Sequence, residues 1–135
     1  YLMFNLMDYG YFSIWHKESD LWLMDLETGK SFSLDGANSN DADSYHNWSI
    51  DSHWFVFTSR RENGLYSQLY LSCIDDEGKA TKPFLLPQKD PKKYYATTLY
   101  SFNTPDFTSR PVELDSRAAS AAISSDKRIP TSIKE

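Results

Sequence analysis

Glycine, cysteine and long apolar runs are all scarce in this chain, and each shortage excludes something. Only five glycines occur in 135 residues, so there is no glycine-rich loop to cradle a phosphate and no Gly-x-Ser-x-Gly turn to expose a nucleophilic serine. The single cysteine, Cys73, excludes an internal disulfide and leaves the redox compartment open. The three histidines, His16, His46 and His53, fall at no metal-ligand spacing, and with one cysteine beside them no zinc site or other cofactor site is expected. No run approaches the ~20 apolar residues of a membrane-spanning helix. Basic residues are dispersed: the largest clusters are Arg60-Arg61 and Lys92-Lys93, within a net charge of -5. No surface is therefore expected to hold a nucleic-acid backbone through counterion release. The sequence starts at Tyr1 with neither Met nor a basic leader, shows no secretory signal, and is expected to be the later part of a longer chain.

What the chain has in quantity is aromatic residues, 16% of the total, with nine Tyr, eight Phe and four Trp. They sit among β-branched neighbours between positions 1 and 107, a composition that favours strands. The length suits one hydrophobic core. The expected class is all-β.

Two segments repeat each other. Asp20-Leu21-Trp22-Leu23-Met24-Asp25-Leu26-Glu27-Thr28-Gly29-Lys30 runs parallel to Gln68-Leu69-Tyr70-Leu71-Ser72-Cys73-Ile74-Asp75-Asp76-Glu77-Gly78-Lys79. Both alternate apolar residues, pass through an acidic turn closed by Gly-Lys, and enter a second short strand, Ser31 to Leu34 or Lys82 to Leu86. That is one hairpin used twice. Leu21 and Leu69 lie 48 residues apart, close to the ~40–50 residue period of a four-stranded propeller blade. Aromatic strands are expected upstream of each hairpin, Tyr11–Trp15 in the first copy and Trp54–Thr58 in the second. Asp51-Ser52 suits a tight turn through its side-chain acceptors, and Asn63-Gly64 predicts a hairpin turn because both residues tolerate positive φ. Strands are thus expected at Tyr45–Trp48, Trp54–Ser59, Gln68–Ile74 and Pro83–Leu86.

The segment Trp48-Ser49-Ile50-Asp51-Ser52-His53-Trp54-Phe55-Val56-Phe57-Thr58-Ser59-Arg60 resembles the W-S-P-D-G-x-x-I-A-F-x-S-x-R signature of TolB-type, WD-like propeller repeats, and Leu69-Tyr70-Leu71 matches the strand that follows it. The stretch from about Gly10 to Leu114, including Phe84-Leu85-Leu86-Pro87-Gln88-Lys89-Asp90-Pro91, is similar to the end of propeller proteins of Bacteroides-type bacteria. The family's Pro and Gly are Ile50 and Ser52 here, and the first copy has Asn5 to Tyr9 where the Trp-Ser turn should sit. The resemblance implies antiparallel four-stranded propeller blades: a partial blade at 1–40, a complete one at 45–86, and a wrapping segment at 87–115. A polar tail at 116–135 would follow, either flexible or a short helix with Ala118–Ala122 as a helical turn. So few blades cannot close a propeller, so a longer chain, a partner or a second copy should cover the exposed edges.

Function is expected to be molecular recognition of a protein, a peptide or an envelope glycan, in a bacterial periplasm or cell envelope as the resemblance implies. The candidate contact residues are Tyr45, His46, Trp48, Arg60 and Arg61. Inner-strand residues such as His46 would face a propeller's channel, although a backbone-bonded histidine explains it as well. The two arginines could clamp a carboxylate or phosphate, or pair with acids of a neighbouring blade. Asp35–Asp43 concentrates oxygen ligands without the EF-hand order, which favours a polar loop over a calcium site. Asn47-Trp48-Ser49 fits a glycosylation sequon but is needed for a strand and its turn. No catalytic constellation can be assembled from scattered Ser, His and Asp. The rival readings are a propeller domain accessory to a prolyl-oligopeptidase-type peptidase or glycan-active enzyme, its catalytic part elsewhere, and a small β-sandwich built on a duplicated hairpin.

Overall fold

Leu21 and Leu23 are fully buried while Trp22 and Met24 beside them are not, so this strand has one face in the core and the other turned outward, as its alternation requires. The computed structural model describes residues 1–127. Its seven strands are β1 (Leu2–Leu6), β2 (Asp20–Met24), β3 (Ser31–Ser33), β4 (Asp43–Trp48), β5 (Trp54–Ser59), β6 (Gln68–Cys73) and β7 (Phe84–Leu85), followed by helices α1 (Pro91–Thr97) and α2 (Ser116–Ile123). The strands make two antiparallel meanders, β1-β2-β3 and β4-β5-β6-β7. The protein is mostly β, with few helices.

The turns follow from local chemistry. Between β4 and β5, Ser49 and Asp51 bind the backbone: the Ser49 hydroxyl accepts from Trp54 N at 3.0 Å, Asp51 accepts from His53 N at 3.2 Å, and Ser52 takes φ 58°. Asp25 closes the β2–β3 turn by accepting from Glu27 N at 2.8 Å, and Asp75 closes its counterpart by accepting from Lys79 N at 2.7 Å. Helix α1 begins at Pro91 with Asp90 accepting from Lys93 N at 3.0 Å. In α2, Asp115 caps Arg117 N and Ala118 N, where side-chain oxygens satisfy otherwise orphaned amides. Of the tail expected at 116–135, residues 128–135 lie outside the described residues.

The sheets stack face to face. Met3, Leu21, Leu23 and Leu34 from the first meet Phe55, Phe57, Tyr70 and Ile74 from the second in one buried cluster. The pairing shows how the repeat is laid down. Phe4 pairs with Trp22 as Phe57 pairs with Tyr70, and directly paired residues share a face. Yet Tyr70 points toward the first sheet whereas Trp22, its counterpart, points away from the second. Leu21 and Leu23 point inward, while Leu69 and Leu71 lie on the second sheet's outward face. The unit is thus repeated in one direction, with the front of one sheet laid on the back of the next.

Two expectations fail. Tyr11–Trp15 is not a strand: β2 pairs instead with β1, Leu2 to Leu6, which overlaps the Asn5–Tyr9 stretch standing where the Trp-Ser turn should sit. Gly10 at φ 79° and Phe12 at φ 59° break any extended run, and Ser13–Trp15 forms a single 3₁₀ turn with only Ile14 buried. Tyr11, Phe12, Ile14 and Trp15 place apolar groups on both sides of an extended chain, so no single face could be buried. The Asn63-Gly64 turn is also not a two-residue hairpin. It lies inside a longer connection between Ser59 and Gln68, where Gly64 takes φ 67° and the Asn63 side chain accepts from Leu65 N and Tyr66 N.

Candidate functional site

Strand β4 carries an extra residue. Ser44 pairs with Thr58 and Asn47 with Val56, which leaves Tyr45 and His46 in a bulge. Tyr45 sits there at φ 49°, a left-handed conformation that an aromatic residue adopts only when its surroundings hold it. The bulge turns its side chain to the sheet's end, where the β1–β2 and β5–β6 connections meet.

Arg60 ties those connections together. It follows β5, its Nη1 donates to the Ile14 carbonyl at 3.1 Å, and its Nη2 donates to the Gly64 carbonyl. The guanidinium lies 5.5 Å from the centre of the Trp15 ring, a cation–π distance. Its Nε is buried with no partner among the described residues. Around this group opens a cavity of about 430 Å³. Phe12, Trp15, Tyr45 and Leu65 supply its apolar wall, and Ser67, Ser101 and Asn103 its polar side. Phe12 is 70% exposed and Trp15 73%. Among the described residues, both non-glycine residues of left-handed backbone outside the Ser52 turn, Phe12 and Tyr45, line this one cavity.

The structure therefore brings two of the five sequence candidates together and sends three elsewhere. Arg61, the first residue of the turn that follows Arg60, points away from it and enters the space between the sheets. There it pairs with Asp43 at 2.6 Å, donates to the Ala37 carbonyl at 2.7 Å, and stacks 4.6 Å from the Tyr70 ring centre and 5.4 Å from that of Phe57. Burial pushes the Tyr70 phenol well above its ordinary range, and the Glu62 carboxylate that accepts its hydrogen bond adds to this. Trp48 packs edge-on against Phe55, ring centres 5.6 Å apart. His46 is half-buried; loss of hydration holds its imidazole below the usual value of 6.5, the Met3 backbone acting the other way. Its Nδ1 has no partner among the described residues.

The oxygen-rich loop from Asp35 to Asp43 spends its groups on structure. Asn38 accepts from Leu21 N at 2.9 Å and donates to the Leu21 carbonyl at 3.0 Å, acting as a strand's edge in place of backbone. Asp43 accepts from Ser39 N and Arg61, and Asp41 from Ala42 N. No three His, Cys, Asp or Glu side chains among the described residues converge as metal ligands do. An open polar hollow of about 710 Å³ between Lys17, Asp41, Arg61 and Glu62 lies beside this loop.

Sequence reasoning missed Phe12, Trp15 and Asn103 as site residues. The first two looked like strand, and the one signal against it was Gly10 ahead of an aromatic run without alternation. Asn103 comes from beyond the last strand, which no local pattern connects to the cavity. Compared with family models, with curated proteins and with solved structures, the chain matches none.

Proposed function

We propose that the protein is a non-catalytic recognition scaffold of propeller type, acting in the bacterial cell envelope, and that its ligand or partner enters the cavity between Trp15, Tyr45 and Arg60. The observation that carries this reading is the convergence at one opening of an arginine and three aromatic residues, of which Phe12 and Tyr45 have strained backbone and Phe12 and Trp15 are exposed. Strained backbone and exposed apolar surface both oppose folding and are concentrated where a protein binds something. Propeller stacking is supported by the one-directional repeat. Two halves of a duplicated sandwich related by a two-fold would turn equivalent residues toward each other, whereas Tyr70 and Trp22 face the same way. On this reading the outward face of the first sheet, with Leu2, Phe4, Trp22 and Met24, is the seat of a further blade. The bacterial setting rests on the resemblance in the Trp48–Arg60 segment.

The test is a selection of binders from peptide and oligosaccharide arrays, followed by Trp15→Ala and Asn103→Ala. The expected result is loss of binding in both variants with unchanged thermal unfolding. Binders that are indifferent to both substitutions would place recognition elsewhere.

A further inference from the structure

We infer that the cavity takes a carboxylated saccharide, a hexuronic-acid unit whose carboxylate meets Arg60, whose ring lies on Trp15 and Phe12, and whose hydroxyls meet Ser101 and Asn103. This deepens the recognition reading above and rests on it.

Charge comes first. The ion pairs among the described residues are His16–Glu18, Lys17–Asp41 and Arg61–Asp43. Arg60 has none. Its guanidinium is held by two neutral carbonyls and the Trp15 ring, so its orientation is set, and no carboxylate among the described residues pairs with it beside the cavity. A planar guanidinium fixed in this way favours a carboxylate, which can accept two of its N–H groups at once. A phosphate would ordinarily find several backbone amides or a second cation, and the cavity lining includes no lysine or second arginine.

Shape and the rest of the lining separate a sugar from a peptide. A peptide carboxylate is usually captured beside a strand edge, a helical groove or a nest of backbone amides. Here, apart from Tyr45 in the bulge of β4, the walls are loop side chains: aromatic residues 70% and 73% exposed, with short amide and hydroxyl groups opposite them. A pyranose presents that division, with C–H faces for the electron-rich ring surface and hydroxyls around its rim. A volume of about 430 Å³ falls within the ~300–1,000 Å³ of small-molecule sites, enough for the end of an oligosaccharide.

The test uses the whole chain and two-dimensional amide spectra. Trigalacturonate, its fully methyl-esterified form and a short peptide with a free C-terminal carboxylate after Phe are titrated in turn. The expected result is that trigalacturonate shifts the signals of Phe12, Trp15, Tyr45 and Arg60, with the ester at least about tenfold weaker and Trp15→Ala losing the effect without a change in unfolding temperature. Because acid and ester are compared on one unaltered protein, the outcome does not depend on an Arg60 variant folding. Equal binding of acid and ester overturns the proposal, as does a peptide that shifts those signals while trigalacturonate does not; both leave recognition at the cavity standing. If no probe moves these signals, the saccharide is overturned, and array-selected binders indifferent to Trp15→Ala overturn the recognition reading with it.

Discussion

Asp43 is fully buried against the Arg61 guanidinium, so everything about it depends on its partners. The Arg61 guanidinium, the Ser39 amide and the Ser39 hydroxyl satisfy its carboxylate, and the Asn5 side chain of the first sheet donates to its backbone carbonyl at 2.7 Å. Removing one member of a buried pair strands the other, at a cost of about 3–5 kcal/mol. Asp43→Ala should lower the free energy of urea unfolding by that amount, and a loss below about 1 kcal/mol would contradict the assignment. Arg61→Lys should also destabilise, since an ammonium cannot both stack on Tyr70 and reach Asp43 and Ala37. His46 sets a pH dependence. Its folded value is depressed, so the unfolded chain binds the proton more readily. The contribution is complete above the unfolded value near 6.5 and is lost as pH falls through the window below it. Unfolding measured from about pH 7.5 to about pH 5 should show stability falling, and His46→Gln should flatten part of that slope. Gly36 marks a close approach: a Cβ there would stand 2.4 Å from the Ala80 carbonyl oxygen. Gly36→Ala should cost about 1–3 kcal/mol because backbone must move.

At the scale of elements, legibility tracked the strength of local signals. The second unit was readable because period-two alternation, the Ser49–Asp51 turn and the Gly78 turn agree. Strands at Trp54–Ser59 and Gln68–Cys73 stand within a residue of where they were expected. β1 was not readable, because Leu2–Leu6 and Tyr11–Trp15 are both apolar and only pairing with β2 decides between them. The bulge at Tyr45 was equally hidden, since nothing local signals an extra residue that depends on the opposing strand. The consequence for the site is specific: Arg60 and Tyr45 could be nominated, while Trp15, Phe12 and Asn103 depended on a loop whose course the first unit's misread strand concealed. The elements also differ in what substitution should do. Phe55→Ala, in the layer between sheets, should cost about 3–5 kcal/mol. Trp15→Ala, on the exposed loop, should stay within about 0.5 kcal/mol of the parent.

At the scale of the whole molecule, two copies of one unit are joined through a single apolar layer and by the Asn5–Asp43 and Arg61–Ala37 hydrogen bonds, with the cavity where a loop of each sheet meets. Beyond the second sheet, the segment after α1 crosses its outward side: the Asn47 amide donates to Asp106 at 2.9 Å and the Ser67 hydroxyl to the Phe102 carbonyl at 2.7 Å, and Val56 and Thr58 on that side are buried. The first sheet's outward face has Leu2 and Leu6 exposed. A rigid stack is what gives the cavity a fixed geometry, since loops alone would leave Arg60 and Trp15 free to separate. Residue-resolved amide hydrogen exchange tests this most directly. The account predicts that Leu21 and Leu23 in β2 and Phe55 and Phe57 in β5 exchange only through one common opening, with equal and maximal protection. Exchange of β2 at a distinctly lower free energy than β5 would show two independent sheets and would contradict it.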